Sequence, residues 1–119
     1  MIEYKVLISF LLIHWLADFA LQTHHQASTK WTNTDSLVKH VGTYSLVWFW
    51  ASWFFLDSLL LAVFFSGITL LAHGVTDLIT SKLAHDRFEE EDYHNGFVIV
   101  GADQILHYVQ LLLTYELLR

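Results

Sequence analysis

The chain has 119 residues, of which 55% are hydrophobic, 16% aromatic and only 15% charged, and its mean hydropathy is +0.43. That length holds one domain, residues 1–119, and that composition leaves too little charge to coat a soluble domain, so a polytopic membrane protein is the expected class. The formal charge of −6 without a basic patch argues against nucleic-acid binding, and the absence of cysteine excludes disulfides and thiolate metal sites.

A first helix is expected over about residues 6–26. Val6 to Ile13 is unbroken apolar sequence, after which His14, Asp18 and Gln22 recur at i, i+4 and i+8. On a helix this spacing makes one polar stripe in an apolar surround. No basic n-region or small-residue cleavage site precedes it, so the segment reads as retained. Residues 27–35 read as a polar loop in which Thr34 or Asp35 caps the next helix, with Trp31 at headgroup level. The second helix, 36–56, opens with Lys39 and His40. It then runs without charge from Val41 to Leu56, where Trp48, Phe49, Trp50, Trp53, Phe54 and Phe55 are expected to face lipid or the interface.

Asp57-Ser58 is a short break, one of the two capping the third helix, 59–84. This helix is apolar through Ala72 and then presents His73 and Asp77, with Lys82 near its exit, placed to snorkel. Residues 85–95, including the run Glu89-Glu90-Glu91-Asp92, belong in water. His24, His25, His85 and His94 read as solvated loop residues. The fourth helix, 96–118, carries Asp103, Gln104 and His107 in its first half. Gly67, Gly74 and Gly101 are expected at close helix contacts.

The fold expected is therefore an all-α, up-down-up-down transmembrane four-helix bundle. A span needs about 20 residues. The second and third helices meet that directly, the first and fourth only with their polar groups turned inward. Lys30, Lys39, Lys82 and Arg87 lie on the side of the long loops, against Lys5 and Arg119 on the other, which favours cytoplasmic long loops.

In such a bundle His14, Asp18, His40, His73, Asp77, Asp103 and His107 all fall in the same half of the membrane, most of them about 7–18 Å inside the long-loop ends at roughly 1.5 Å per residue. Unpaired charges there are costly, so these groups are either paired or bound to something. Imidazole nitrogen and carboxylate oxygen are the ligand set of zinc and similar divalent metals, and HxxxD on a helix turns both side chains to one face. Seven candidates suit two ions sharing a carboxylate, or one ion with well-developed outer partners. Such a centre supports hydrolysis of an ester or phosphoester at the membrane, with Gln22 and Gln104 orienting ligands or substrate and Tyr44 placed to bond a leaving oxygen. The competing expectation is a non-catalytic module: helix–helix glue, a proton or cation relay, or a structural subunit in a homo-oligomer or larger membrane complex.

At these motifs the chain resembles a family of small multi-pass membrane proteins of bacteria and phages classed as a domain of unknown function. Its pattern is HxxxDFxLQ on the first helix, His opening the second, HxxxD followed by a basic residue on the third, and DQxxH on the last. Here those are His14, Asp18, Phe19, Leu21 and Gln22; His40; His73, Asp77 and Lys82; and Asp103, Gln104 and His107. The resemblance covers nearly the whole chain. It implies the topology, a bacterial inner membrane or a phage origin, and the site residues, but no reaction. The HxxxD pairs are also similar to those of membrane-bound metal-dependent hydrolases and of the zinc-dependent phospholipase C and P1 nuclease group, an analogy that rests on that motif alone.

Overall fold

The apolar runs fold into five helices and no strand in a computed structural model that describes residues 1–119. Helix α1, Tyr4–Trp15, continues into a π-helical turn, Leu16–Ala20, closed by a bond from the Leu21 N–H to the Leu16 carbonyl at 3.0 Å. This wide turn places the neighbours Ala17 and Asp18 inward together. The chain then bends, and α2, His24–Thr29, begins on its own cap. The Gln26 N–H donates to Thr23 Oγ1 at 3.1 Å and the Thr23 N–H to Gln26 Oε1 at 3.2 Å, a reciprocal capping box. The single helix expected over 6–26 is thus two helices, because Thr-x-x-Gln starts a new one.

Helix α3, Thr34–Leu56, is capped by Asn33 rather than by Thr34 or Asp35, since Asn33 Oδ1 accepts from the Asp35 and Ser36 N–H groups at 3.0 and 3.3 Å. Asp57 takes the left-handed conformation (φ 49°) that ends α3, and Ser58 caps α4, Leu59–Glu89. Helix α4 runs past the expected end at 84 and absorbs His85, so His85 is helical rather than a loop residue. Asp92 caps α5, Tyr93–Leu118, by accepting from the Asn95 N–H at 3.3 Å.

Helices α3, α4 and α5 pack in sequence order, α3 on α4 and α4 on α5. Helix α1 leans on both α3 and α5, while the π-turn and α2 are backed by α3. Beyond the polar motifs, Phe10, Trp48, Phe65, Leu111 and Tyr115 form the apolar core, with Phe10 edge-on to Trp48 at 4.9 Å. Trp48 is fully buried and Phe55 packs against that core, so neither is free to face lipid, whereas Trp50 and Phe54 are exposed. Of the glycines expected at helix contacts, only Gly74 meets one. A Cβ there would lie 3.5 Å from Val41, while Gly67 and Gly101 face open space.

The distribution of polarity is inverted relative to a soluble domain. Twelve buried residues are polar or charged against ten hydrophobic ones, and large side chains such as Phe54, Leu71 and Leu117 are more than 70% exposed. Helices α4 and α5 are long and apolar enough to cross a membrane, and only 22% of the most apolar window of each is buried, unlike the core helix of a soluble protein. Helix α3, expected to qualify, does not, because Trp, Tyr, Ser and Thr dilute its hydropathy. Helix α5, expected to depend on inward-turned polar groups, does qualify, and Asp103 and His107 are indeed buried.

Candidate metal centre

All seven His and Asp residues singled out by spacing are buried, none more than 7% exposed, and they converge from four separate segments. Four of them form one tight group: Asp18 on the π-turn, His40 on α3, and His73 with Asp77 on α4. His40 Nε2 lies 3.1 Å from Asp18 Oδ1, 3.2 Å from Asp77 Oδ2 and 3.2 Å from His73 Nε2. His73 Nε2 lies 3.5 Å from Asp18 Oδ1 and 3.8 Å from Asp77 Oδ2. A tetrahedron of ligands about 2.0–2.1 Å from a zinc ion has edges of about 3.3–3.4 Å. Four of these five edges fall close to that length, and the fifth, from His73 Nε2 to Asp77 Oδ2 at 3.8 Å, is longer. The donor set fits a divalent cation.

Asp18 is shared with a second group, Asp103 and His107 of α5, in which His107 Nε2 stands 3.1 Å from Asp103 Oδ1. The two groups are linked by a contact of 3.2 Å between His73 Nδ1 and His107 Nδ1. A neutral imidazole carries one proton, so both rings cannot bare Nε2 to a metal while their Nδ1 atoms share a hydrogen bond. With His73 Nε2 as ligand, its Nδ1–H donates to His107, whose own Nε2–H then points at Asp103. The geometry therefore allows Asp18/His40/His73/Asp77 to act as a ligand group, with His107 and Asp103 as the outer pair that would orient it.

His14 is held away from a ligand role by a similar constraint. Carboxylates only accept, so the Gln104 amide nitrogen faces Asp18 Oδ2 (3.3 Å) and Asp103 Oδ2 (2.9 Å), which leaves Gln104 Oε1 for the His14 Nε2–H at 2.6 Å. His14 Nδ1 then accepts from the Tyr44 hydroxyl at 2.7 Å. Tyr44 also stacks on His73, with ring centroids 3.7 Å apart. Tyr44 stands behind the cluster, fully buried, and braces two histidines rather than reaching a substrate. Thr80 donates to Asp103 Oδ1 and helps hold that carboxylate, while Ser81 donates to the backbone carbonyl of Asp77.

The carboxylates of Asp18, Asp77 and Asp103 form the floor of a pocket of about 420 Å³ whose walls include Gln22, Gln104 and Phe88. It lies between the π-turn and α2 on one side and α4 and α5 on the other. Gln22 reaches it from the bend after the π-turn, so the stripe His14/Asp18/Gln22 converges without one continuous helix.

Two features were not anticipated from sequence. Lys30, expected in a solvated loop, is 11% exposed and places Nζ 2.7 Å from Asp77 Oδ2 and 3.0 Å from Gln22 Oε1. Three buried carboxylates whose one motif base, Lys82, sits exposed near the exit of its helix were the available signal, because such a cluster needs a counter-cation. Trp31 stacks on His85 at 4.1 Å over the pocket, and Lys82 lies 5.7 Å from the Trp31 ring centroid. His24, His25 and His94 are exposed as expected, but they lie in the first turns of α2 and α5 rather than in loops.

No curated protein and no solved structure matches the chain. A family model covering residues 6–119, which carry every one of these motifs, does match, and the chain belongs to that family, described as a protein of unknown function (DUF3307).

Proposed function

We propose that this is an integral membrane protein that binds a divalent cation, zinc by its donor set, and hydrolyses an ester or phosphoester presented at the membrane interface. The observation that carries the reading is the four-donor group, two of whose carboxylates, Asp18 and Asp77, open onto a pocket large enough for a headgroup. The inside-out polarity supports a membrane setting. In this reading the chain makes four spans up and down, with α1 and the π-turn as the first, and the excess of Lys and Arg beside the long loops is what favours a cytoplasmic long-loop face.

With the imidazoles neutral, three carboxylates and one ammonium leave two negative charges in the cluster, which one divalent cation offsets. A bound cation would supply Lewis acidity, and it would activate a water only by taking a further ligand from the pocket side, because the four protein donors already fill a tetrahedron. In hydrolysis the water oxygen bonds to phosphorus or to the carbonyl carbon, the ester bond breaks, and a water proton passes to the departing alcohol oxygen. Asp103, on the pocket floor with His107 behind it, is the group placed to carry that proton. Gln104 ties Asp18 to Asp103 and keeps the floor in register.

Hydrogen-bonded glue or a proton relay is the second reading, favoured by the chain Tyr44–His14–Gln104–Asp18. The part-buried bonds from Gln110 to Thr69 and Thr114, one turn beyond His73 and His107, continue polar contacts into the far half beside the core around Phe10 and Trp48. Protein purified in detergent, stripped by chelator and reloaded, should retain about one zinc per chain through gel filtration and cleave a chromogenic phosphoester only when loaded. Zinc retained at background level in the wild type would sink the proposal.

A further inference from the structure

We infer that Lys30 and Gln22 form an anion subsite that binds a phosphate group beside the metal, so that the pocket takes phosphoesters rather than neutral carboxylic esters. This rests on the metal reading above and deepens it. Lys30 is the only lysine or arginine on the pocket wall. Its ammonium has three N–H donors, of which the contacts to Asp77 and Gln22 use two, and the third is left to the pocket. Because Gln22 Oε1 accepts from Lys30, the Gln22 amide NH₂ is turned to the other side, where the protein gives it no partner. The remaining hydroxyls near the floor are engaged: Thr80 on Asp103 and Ser81 on the Asp77 carbonyl. Lys30 and Gln22 are thus the unspent donors beside the floor.

The position of Lys30 ties the subsite to the metal. Its Nζ is 2.7 Å from Asp77 Oδ2, and a zinc on that oxygen would lie about 2.0–2.2 Å beyond it, so ammonium and metal are within about 5 Å of each other. One phosphate group can place one oxygen on each. Without the metal, the three floor carboxylates repel an anion from the same place. Phosphate binding and metal binding must therefore favour each other, and by linkage to the same extent. Phosphate in this position comes either free from water or on a lipid headgroup, and the two sources share the same two donors.

Titration calorimetry on detergent-purified protein, with and without zinc, tests this using inorganic phosphate in one arm and phosphatidic acid in mixed micelles in the other. Phosphate should bind the zinc-loaded protein and not the stripped one. Lys30→Met should weaken it on the order of 10- to 100-fold while zinc still binds, as expected for loss of a charge-assisted bond. Lys30→Arg should keep it, and Gln22→Leu, which leaves every charge in place, should weaken it several-fold. Binding of phosphatidic acid alone assigns the subsite to a lipid headgroup, and binding of both assigns it to phosphate as such. Equal phosphate binding by zinc-loaded wild type and by Lys30→Met and Gln22→Leu overturns the inference with the metal site intact. Failure of the wild type to bind zinc overturns both.

Discussion

Asp18→Asn separates a metal centre from hydrogen-bonded glue by the sign of its effect. Asp18 Oδ1 supplies two edges of the four-donor group, 3.1 Å to His40 and 3.5 Å to His73, and Oδ2 accepts from Gln104 at 3.3 Å. The asparagine is isosteric, and its one carbonyl oxygen cannot serve both sides. Facing Gln104, it turns an NH₂ donor into the centre; facing the centre, it sets NH₂ against the Gln104 NH₂. Outer partners of a metal are worth about 10- to 100-fold in affinity, so loss of a charged ligand should cost more than about 100-fold and empty the site on dialysis. The metal-free protein should respond oppositely. Three buried carboxylates share one ammonium, and removing one relieves repulsion by on the order of 1 kcal/mol. Saturating zinc at 100 times its dissociation constant adds about 2.7 kcal/mol to the wild type. Thermal denaturation in one detergent should then rank zinc-loaded wild type first, Asp18→Asn second with no response to zinc, and stripped wild type last. A variant that melts below the stripped wild type, with metal content unchanged, would refute the reasoning, because that is the behaviour of a lost hydrogen-bond acceptor.

His107→Gln should keep the ion but bind it about 10- to 100-fold more weakly, measured by competition with a fluorescent chelator, since His107 orients His73 without being a ligand. Gly67→Ala should be neutral or stabilise by up to about 1 kcal/mol, whereas Gly96→Ala should destabilise by about 1–3 kcal/mol, as the Phe88 ring occupies the place of its Cβ; denaturation midpoints compare the two. The chain has no cysteine, so Asp57→Cys and Glu90→Cys can be labelled singly in intact cells with an impermeant maleimide. Only Asp57→Cys should react if the long loops are cytoplasmic, and reaction of both would contradict the up-down arrangement.

Convergence of the cluster was legible in the sequence because the i, i+4 pairing on α4 and α5 survives intact: His73 with Asp77, and Asp103 with His107, each share a face. Helix ends were less legible. The Thr23-x-x-Gln26 box and the Asn33 cap are both visible as residue patterns, yet an apolar-run reading passes over them. The π-turn has no proline or glycine to announce it, so an unbroken α-helix through Gln22 was the natural expectation. Ranking the seven candidates was beyond spacing altogether. Whether His14 is a ligand depends on which end of Gln104 faces Asp18, a fact about partners ninety residues away in sequence.

Lys30 shows how charge balance could have carried the reading further than motifs did. Counted along the helices, the motifs hold three buried carboxylates, and their one fixed positive charge, Lys82, is exposed and paired with Asp86. In a low-dielectric interior that sum is untenable, and a cation from elsewhere in the chain has to be among them. Lys30 sits only eight residues beyond Gln22, on the turn after α2, and the capping box at Thr23 is what folds that turn back over the pocket. The ammonium offsets one carboxylate and leaves two charges outstanding, the charge of one divalent ion. The local feature that broke the expected first helix is therefore the same one that delivers the counter-charge. The bend after the π-turn is what makes a four-donor site compatible with a buried position, and shortening the α2 segment should remove metal binding even with every ligand in place.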